Sequence, residues 1–177
     1  MNLSSIVLLL FSSCATSASI PTDKTFSSEG KPFRFESLTQ RENSVWGFDF
    51  LADGRMIFTE RSGAIGILDL KTKTVKLVEG APKVWAEGQG GMLDVRVQPK
   101  TQKIFFSYSE PKGDGATTAL GSADLSGHTF KNFKQLLSAS HPNDNTQHFG
   151  SRIEFDGKGH VFLTIGDRGE RDKVQDP

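Results

Sequence analysis

Sulfur chemistry is nearly absent from this chain. One cysteine, Cys14, stands close to the N-terminus of 177 residues. The region beyond it therefore has neither an internal disulfide nor a thiol nucleophile. Net charge is lacking too: 21 Lys and Arg balance 21 Asp and Glu. Nucleic-acid binders normally carry a basic excess or stripe, so that class is set aside. Long amphipathic helical patterns are scarce, and the apolar run at residues 6–11, IVLLLF, is far too short to span a bilayer. What is plentiful is glycine, 18 residues, and phenylalanine, whose 14 residues outnumber Tyr and Trp together. Such a chain is expected to be soluble, β-rich and turn-rich, and long enough for one domain with its own core.

The short apolar run is followed by the small residues SSCATSA, 12–18. This is the shape of a secretory signal with its cleavage zone, although residues 1–5 carry no Lys or Arg. A signal peptide is expected over 1–19, a polar linker over 20–32 and the folded domain over 33–177. Cys14 also fits a lipoprotein box loosely, with Phe11 at a position where Leu is usual. Export to the periplasm or the extracellular side is expected, with membrane attachment only if Cys14 is lipidated.

The rest of the chain repeats. DGRMIFTE (53–60), TQKIFFSYS (101–109) and KGHVFLTIG (158–166) share a turn, a basic or His residue, an apolar run and then Thr or Ser. An alternating run precedes each: WGFDFLA, GMLDVRVQP and SRIEFDG. Arg55 and Lys103 are 48 residues apart, Lys103 and His160 57. Hairpins recurring about every 50 residues predict a β-propeller with one four-stranded blade per repeat. Blade one is expected over 45–80 and blade two over 91–137, with blade three beginning near Ser151. Residues 33–38 are expected as a strand closing the ring against the last blade. A ring needs at least about four blades, and this chain supplies about two and a half to three. It is therefore expected to be part of a longer propeller, with unpaired blade faces; a small β-sandwich with coincidental repeats is the alternative.

The third repeat holds the chemistry. With a two-residue turn at Gly157-Lys158, facing residue numbers add to 315, as those of His148 and Asp167 do. Directly opposed side chains lie within hydrogen-bonding reach, and a bulge at Gly159 would shift the register by one without separating them far. A carboxylate beside an imidazole accepts the Nδ1 proton and leaves Nε2 to take a proton from a substrate hydroxyl. Gly150, Gly166 and Gly169 would keep the backbone tight, and Arg152 and Arg168 would suit an anionic ligand. Gln89, in WAEGQGGMLDV (85–95), enters blade two as His148 enters blade three, and its amide can donate and accept. A polar rim residue and a surface turn would account for the same residue types without chemistry.

VWGFDFLADGRMIFTERSGAI, EGQGGMLDVRVQP, IFFSYS, HFGSRIEFDGKGHVFLTIGDRGER and VQDP, taken in order, resemble the soluble PQQ-dependent glucose/sorbosone dehydrogenase family, its aldose sugar dehydrogenase branch in particular. The resemblance implies a six-bladed all-β propeller that binds pyrroloquinoline quinone (PQQ) and calcium and oxidises the C1 hydroxyl of aldoses to lactones. It implies His148 as the general base, Asp167 as its acidic partner and Gln89 as a quinone contact. It also implies an external electron acceptor. Ser151 stands where the branch usually has Gly, Gln98 where His precedes the proline, and Ala52 where Pro is common. The calcium ligands and the cations that hold the quinone carboxylates are implied beyond Pro177. No ligand spacing marks a complete metal site, so no metal residue is assigned, and the chain alone is expected to be inactive. A non-catalytic propeller binding protein or glycan is the main alternative. A propeller lactonase would need more channel-facing carboxylates than this segment supplies.

Overall fold

The computed structural model describes residues 5–8 and 24–174. Three strands, β1 (Ser5–Leu8), β2 (Thr25–Ser28) and β3 (Lys31–Glu36), form a small sheet in the order β1-β3-β2. The linker expected over 20–32 thus contains a strand and the start of another. The reason is visible in the pairing: Phe26 faces Phe33, and the tight turn at Glu29-Gly30 lets Ser28 pair with Lys31. Residues 33–38, expected to close the ring, lie in β3 and just beyond it. Leu38 instead covers Met56, Phe58 and Leu68 of the first blade. Cys14 and residues 12–18 lie outside the described residues.

Two four-stranded antiparallel meanders follow. The first is β4 (Val45–Phe50), β5 (Met56–Glu60), β6 (Ile65–Leu68) and β7 (Val75–Leu77). The second is β8 (Met92–Val97), β9 (Ile104–Lys112), β10 (Gly115–Ser126) and β11 (Thr129–Ser138). A hairpin of β12 (Gly150–Phe155) and β13 (Val161–Ile165) begins the third blade. Two and a half blades therefore stand where the repeats predict them. Among the described residues there is no α-helix, only a 3-10 turn at Arg171–Lys173.

The main core lies between blades one and two. Ile57, Ile65 and Ile67 meet Val95, Ile104, Phe106 and Tyr108, all 2% exposed or less. Each such apolar side chain contributes about 1.5–3 kcal/mol by leaving water. The outward faces remain open: Trp46, Phe48 and Phe50 on β4, and Phe162 and Ile165 on β13, are 42–59% exposed.

The Thr or Ser of the first two repeats now has a physical reason. Thr59 accepts from Gly47 N within blade one and donates to Leu93 O of blade two, at 2.9 and 2.5 Å. Ser107 accepts from Asp94 N and donates to Ser151 O of the third blade, at 3.0 and 2.7 Å. A carboxylate adds a second stitch across each junction: Asp49 accepts from Val97 N and Asp94 from Ile153 N, both at 2.8 Å. Buried backbone groups on the innermost strands, which the ladders leave single, are satisfied by the neighbouring blade.

Candidate active site

The β12–β13 hairpin reaches the expected alignment by a different route. Phe155 pairs with Val161 and Asp156 N donates to His160 O, so the turn holds three residues, not two. Gly157 and Gly159 take φ of +72° and +110°, backbone that a side chain would resist. Asp156 braces this turn, accepting from Lys158 N at 2.8 Å, His160 N at 3.1 Å and the His160 ring at 2.6 Å. The hydrogen bond to His160, then that from Lys158 N, lower its carboxyl pKa to about 2. A second irregularity between Gly150 and Ile153 cancels the shift, and Gly150 faces Ile165.

His148 and Asp167 consequently meet at the mouth, with Nδ1 2.7 Å from Oδ1. Arg168 N donates to His148 O and Gly166 N to Phe149 O, which fixes both backbones. Gly169 N also donates to the Asp167 carboxylate at 2.9 Å. That backbone bond, and next the His148 hydrogen bond, depress the Asp167 pKa. An ionised Asp167 can only accept, so His148 Nδ1 must carry a proton. In the neutral ring the lone pair then sits on Nε2, on a side chain 49% exposed.

Gln89 joins the same cluster. Its backbone N donates to Thr146 O at 2.7 Å, and its side-chain Oε1 accepts from His148 N at 2.9 Å. Gly88 permits this contact, because a Cβ there would lie 2.5 Å from Thr146. The amide oxygen is therefore committed to His148. Its nitrogen has no partner among the described residues and is the group left to donate to a ligand.

One expectation about the neighbours changes. Arg168 is not aimed at an anionic ligand: it is 5% exposed, turned inward over the Phe149 ring and bonded to carbonyls. Arg152 does reach solvent, at 67% exposure, and lies 3.5 Å from Asp94. Among the described residues no three His, Cys, Asp or Glu side chains stand together to hold a metal. Sequence reading also missed the Gln89–His148 bond. The only available signal was that both residues open an inner strand.

Ser151 holds φ of +102°, a region glycine tolerates and serine does not. Its backbone carbonyl, not its side chain, takes the bond from Ser107. Ser151→Gly is expected to stabilise the chain by about 1 kcal/mol, raising the melting temperature by roughly 2–4 °C. A lower melting temperature in a thermal scan would reject this account of the strain.

Comparisons with known proteins agree with this fold. The family model Glucose / Sorbosone dehydrogenase matches residues 42–177. The chain is 35% identical over 148 residues to the aldose sugar dehydrogenase YliI of Escherichia coli K12, covering 80% of this chain and 40% of that protein. It is similar to the structure of the soluble aldose sugar dehydrogenase of Escherichia coli in the apo form. There the TM-score is 0.71 and identity 34%, over 76% of this chain and 41% of that one. It shares its fold with the PQQ-bound aldose sugar dehydrogenase of Streptomyces coelicolor. That match has a TM-score of 0.63 at 21% identity, over 76% of this chain and 41% of that one. The chain thus spans about 40% of the length of the curated relative. With blades, junctions and a matched stretch reaching from before β4 past β13, the chain belongs to the glucose/sorbosone dehydrogenase family.

Proposed function

We propose that these blades belong to an exported, PQQ-dependent dehydrogenase that oxidises the C1 hydroxyl of aldose sugars to lactones. The observation that carries this reading is the His148–Asp167 pair at 2.7 Å, with Gln89 bonded to the same histidine. A module that only binds a protein or a glycan has no need of an imidazole whose tautomer is fixed and whose other nitrogen faces solvent.

His148 Nε2 removes the proton of the substrate hydroxyl, and Asp167 stabilises the imidazolium that forms. Gln89 offers its free amide N–H as a donor beside the base, a donor set that fits a quinone oxygen. PQQ, when bound, supplies the two-electron acceptor for the hydride. The cations for its carboxylates, and the calcium, are proposed to come from parts of the full-length enzyme beyond these blades, since Arg168 is spent inside the fold. Residues 1–19 are proposed to be removed on export, which the intact mass of the exported protein would report.

The test is to assay a full-length enzyme carrying this segment with PQQ and calcium. Aldose should be consumed with one lactone formed per two electrons passed to an external dye. Equal activity without PQQ would overturn the cofactor assignment, and no oxidation of any aldose would overturn the reading in favour of a binding module.

A further inference from the structure

We propose that Arg168 is a positioning residue that holds the His148-bearing loop in place for proton removal. Nε donates to Gln147 O at 3.1 Å, Nη1 to Ala116 O at 2.7 Å and Nη2 to Asn145 O. Its guanidinium carbon lies 3.6 Å above the centroid of Phe149, the residue next to His148. The backbone joins in: Arg168 N donates to His148 O, while Arg168 O accepts from the side chains of Asn143 and Asn145. One buried residue, adjacent in sequence to Asp167, thus grips both sides of His148 and ties them to β10 of blade two.

The chemistry of the grip is particular to arginine. Three carbonyls lie in different directions around one planar group, and a fork of five fixed N–H donors can meet all three. An ammonium is a point donor and would leave carbonyls unpaired in a buried site. No carboxylate is among these three hydrogen-bond acceptors. Burial lowers the Arg168 pKa, with Glu170 acting in the opposite sense. A stacked ring and dispersed carbonyl dipoles are what accommodate the charge.

The base function of His148 rests on the dehydrogenase reading, but its positioning does not, so the test is made on the chain without sugar or quinone. Nuclear magnetic resonance of the unaltered chain should find the Arg168 Nε–H exchanging at least about tenfold more slowly than that of exposed Arg152. Equal rates would overturn the proposal without any variant. In Arg168→Lys, the His148 ring should lose its single Nδ1–H form and sample both tautomers. His160, paired with Asp156 at the far end of the same hairpin, should keep its own. A His148 signature unchanged in Arg168→Lys would overturn the proposal. In a full-length enzyme the same substitution should lower kcat with KM little altered, since the lysine disturbs the base and not the sugar contacts.

Discussion

Replacing His148 by alanine in a full-length enzyme loaded with PQQ and calcium is expected to cut dye-linked aldose oxidation by at least about a hundredfold, the usual scale for a general base. Cofactor affinity should change little, because the histidine's bonds run to Asp167 and Gln89 and its side chain is half exposed. Near-normal turnover would remove His148 from the reaction. Asp167→Asn should cost less and leave binding intact, but for a different reason. An amide can donate to Nδ1 as well as accept from it, so the ring is free to place its proton on Nε2, the nitrogen that has to be bare. The pH profile separates the two effects. The Asp167 carboxyl is depressed in the folded chain, by the Gly169 N–H first and by His148 next. Its contribution is present above the ordinary carboxylate value of 3.8 and is lost as pH falls through the lowered one. The pair is therefore intact throughout the neutral range, and the acid limb of the rate must come from another group. An unchanged profile in Asp167→Asn would argue that the pairing has no part in catalysis.

Much of this site was legible because turns and alternation are local. The three repeats placed the blades, since each hairpin carries its own turn residues and its own period of two. The facing of His148 and Asp167 was predicted from a two-residue turn, and that premise is incorrect. The turn takes three residues, with Gly159 at φ +110°, and the bulge beside Ser151 restores the register. The alignment held because two one-residue shifts cancel, which no count along one hairpin could have established. Arg168 was misread as a surface cation. Arg168 follows β13 in a turn and takes a left-handed φ of +51°, so the period of two that orients strand residues gave no guide to its side chain. Gln89's bond to His148 crosses 59 residues and two blades. Long-range contacts of this sort depend on how sheets pack, and a motif read by itself does not contain that information. The linker was misassigned for a related reason: a polar hairpin such as 25–34 gains order from Phe26 against Phe33 and Phe35, not from its composition.

Gly166→Ala is expected to be the most damaging single-methyl change at the site. A Cβ at this position would lie 2.1 Å from His148 O and 2.7 Å from His148 C, both backbone atoms. Nothing flexible can yield, so one strand must move away from the other at the point where Asp167 faces His148. Overpacking against rigid backbone costs about 3 kcal/mol or more, which should lower the melting temperature by roughly 10 °C. Gly157→Ala is the matched control. Its φ of +72° is unfavourable to alanine, yet its Cβ would meet no atom within 4 Å, so its cost should stop at about 1 kcal/mol. The two variants therefore separate crowding from backbone conformation within one hairpin. Gly166→Ala should also abolish the single Nδ1–H signature of His148, while Gly157→Ala leaves it in place. If Gly166→Ala melts no lower than Gly157→Ala and keeps that signature, the close approach of the two strands is not what brings the imidazole to its carboxylate. The His148–Asp167 pairing would then need another structural cause.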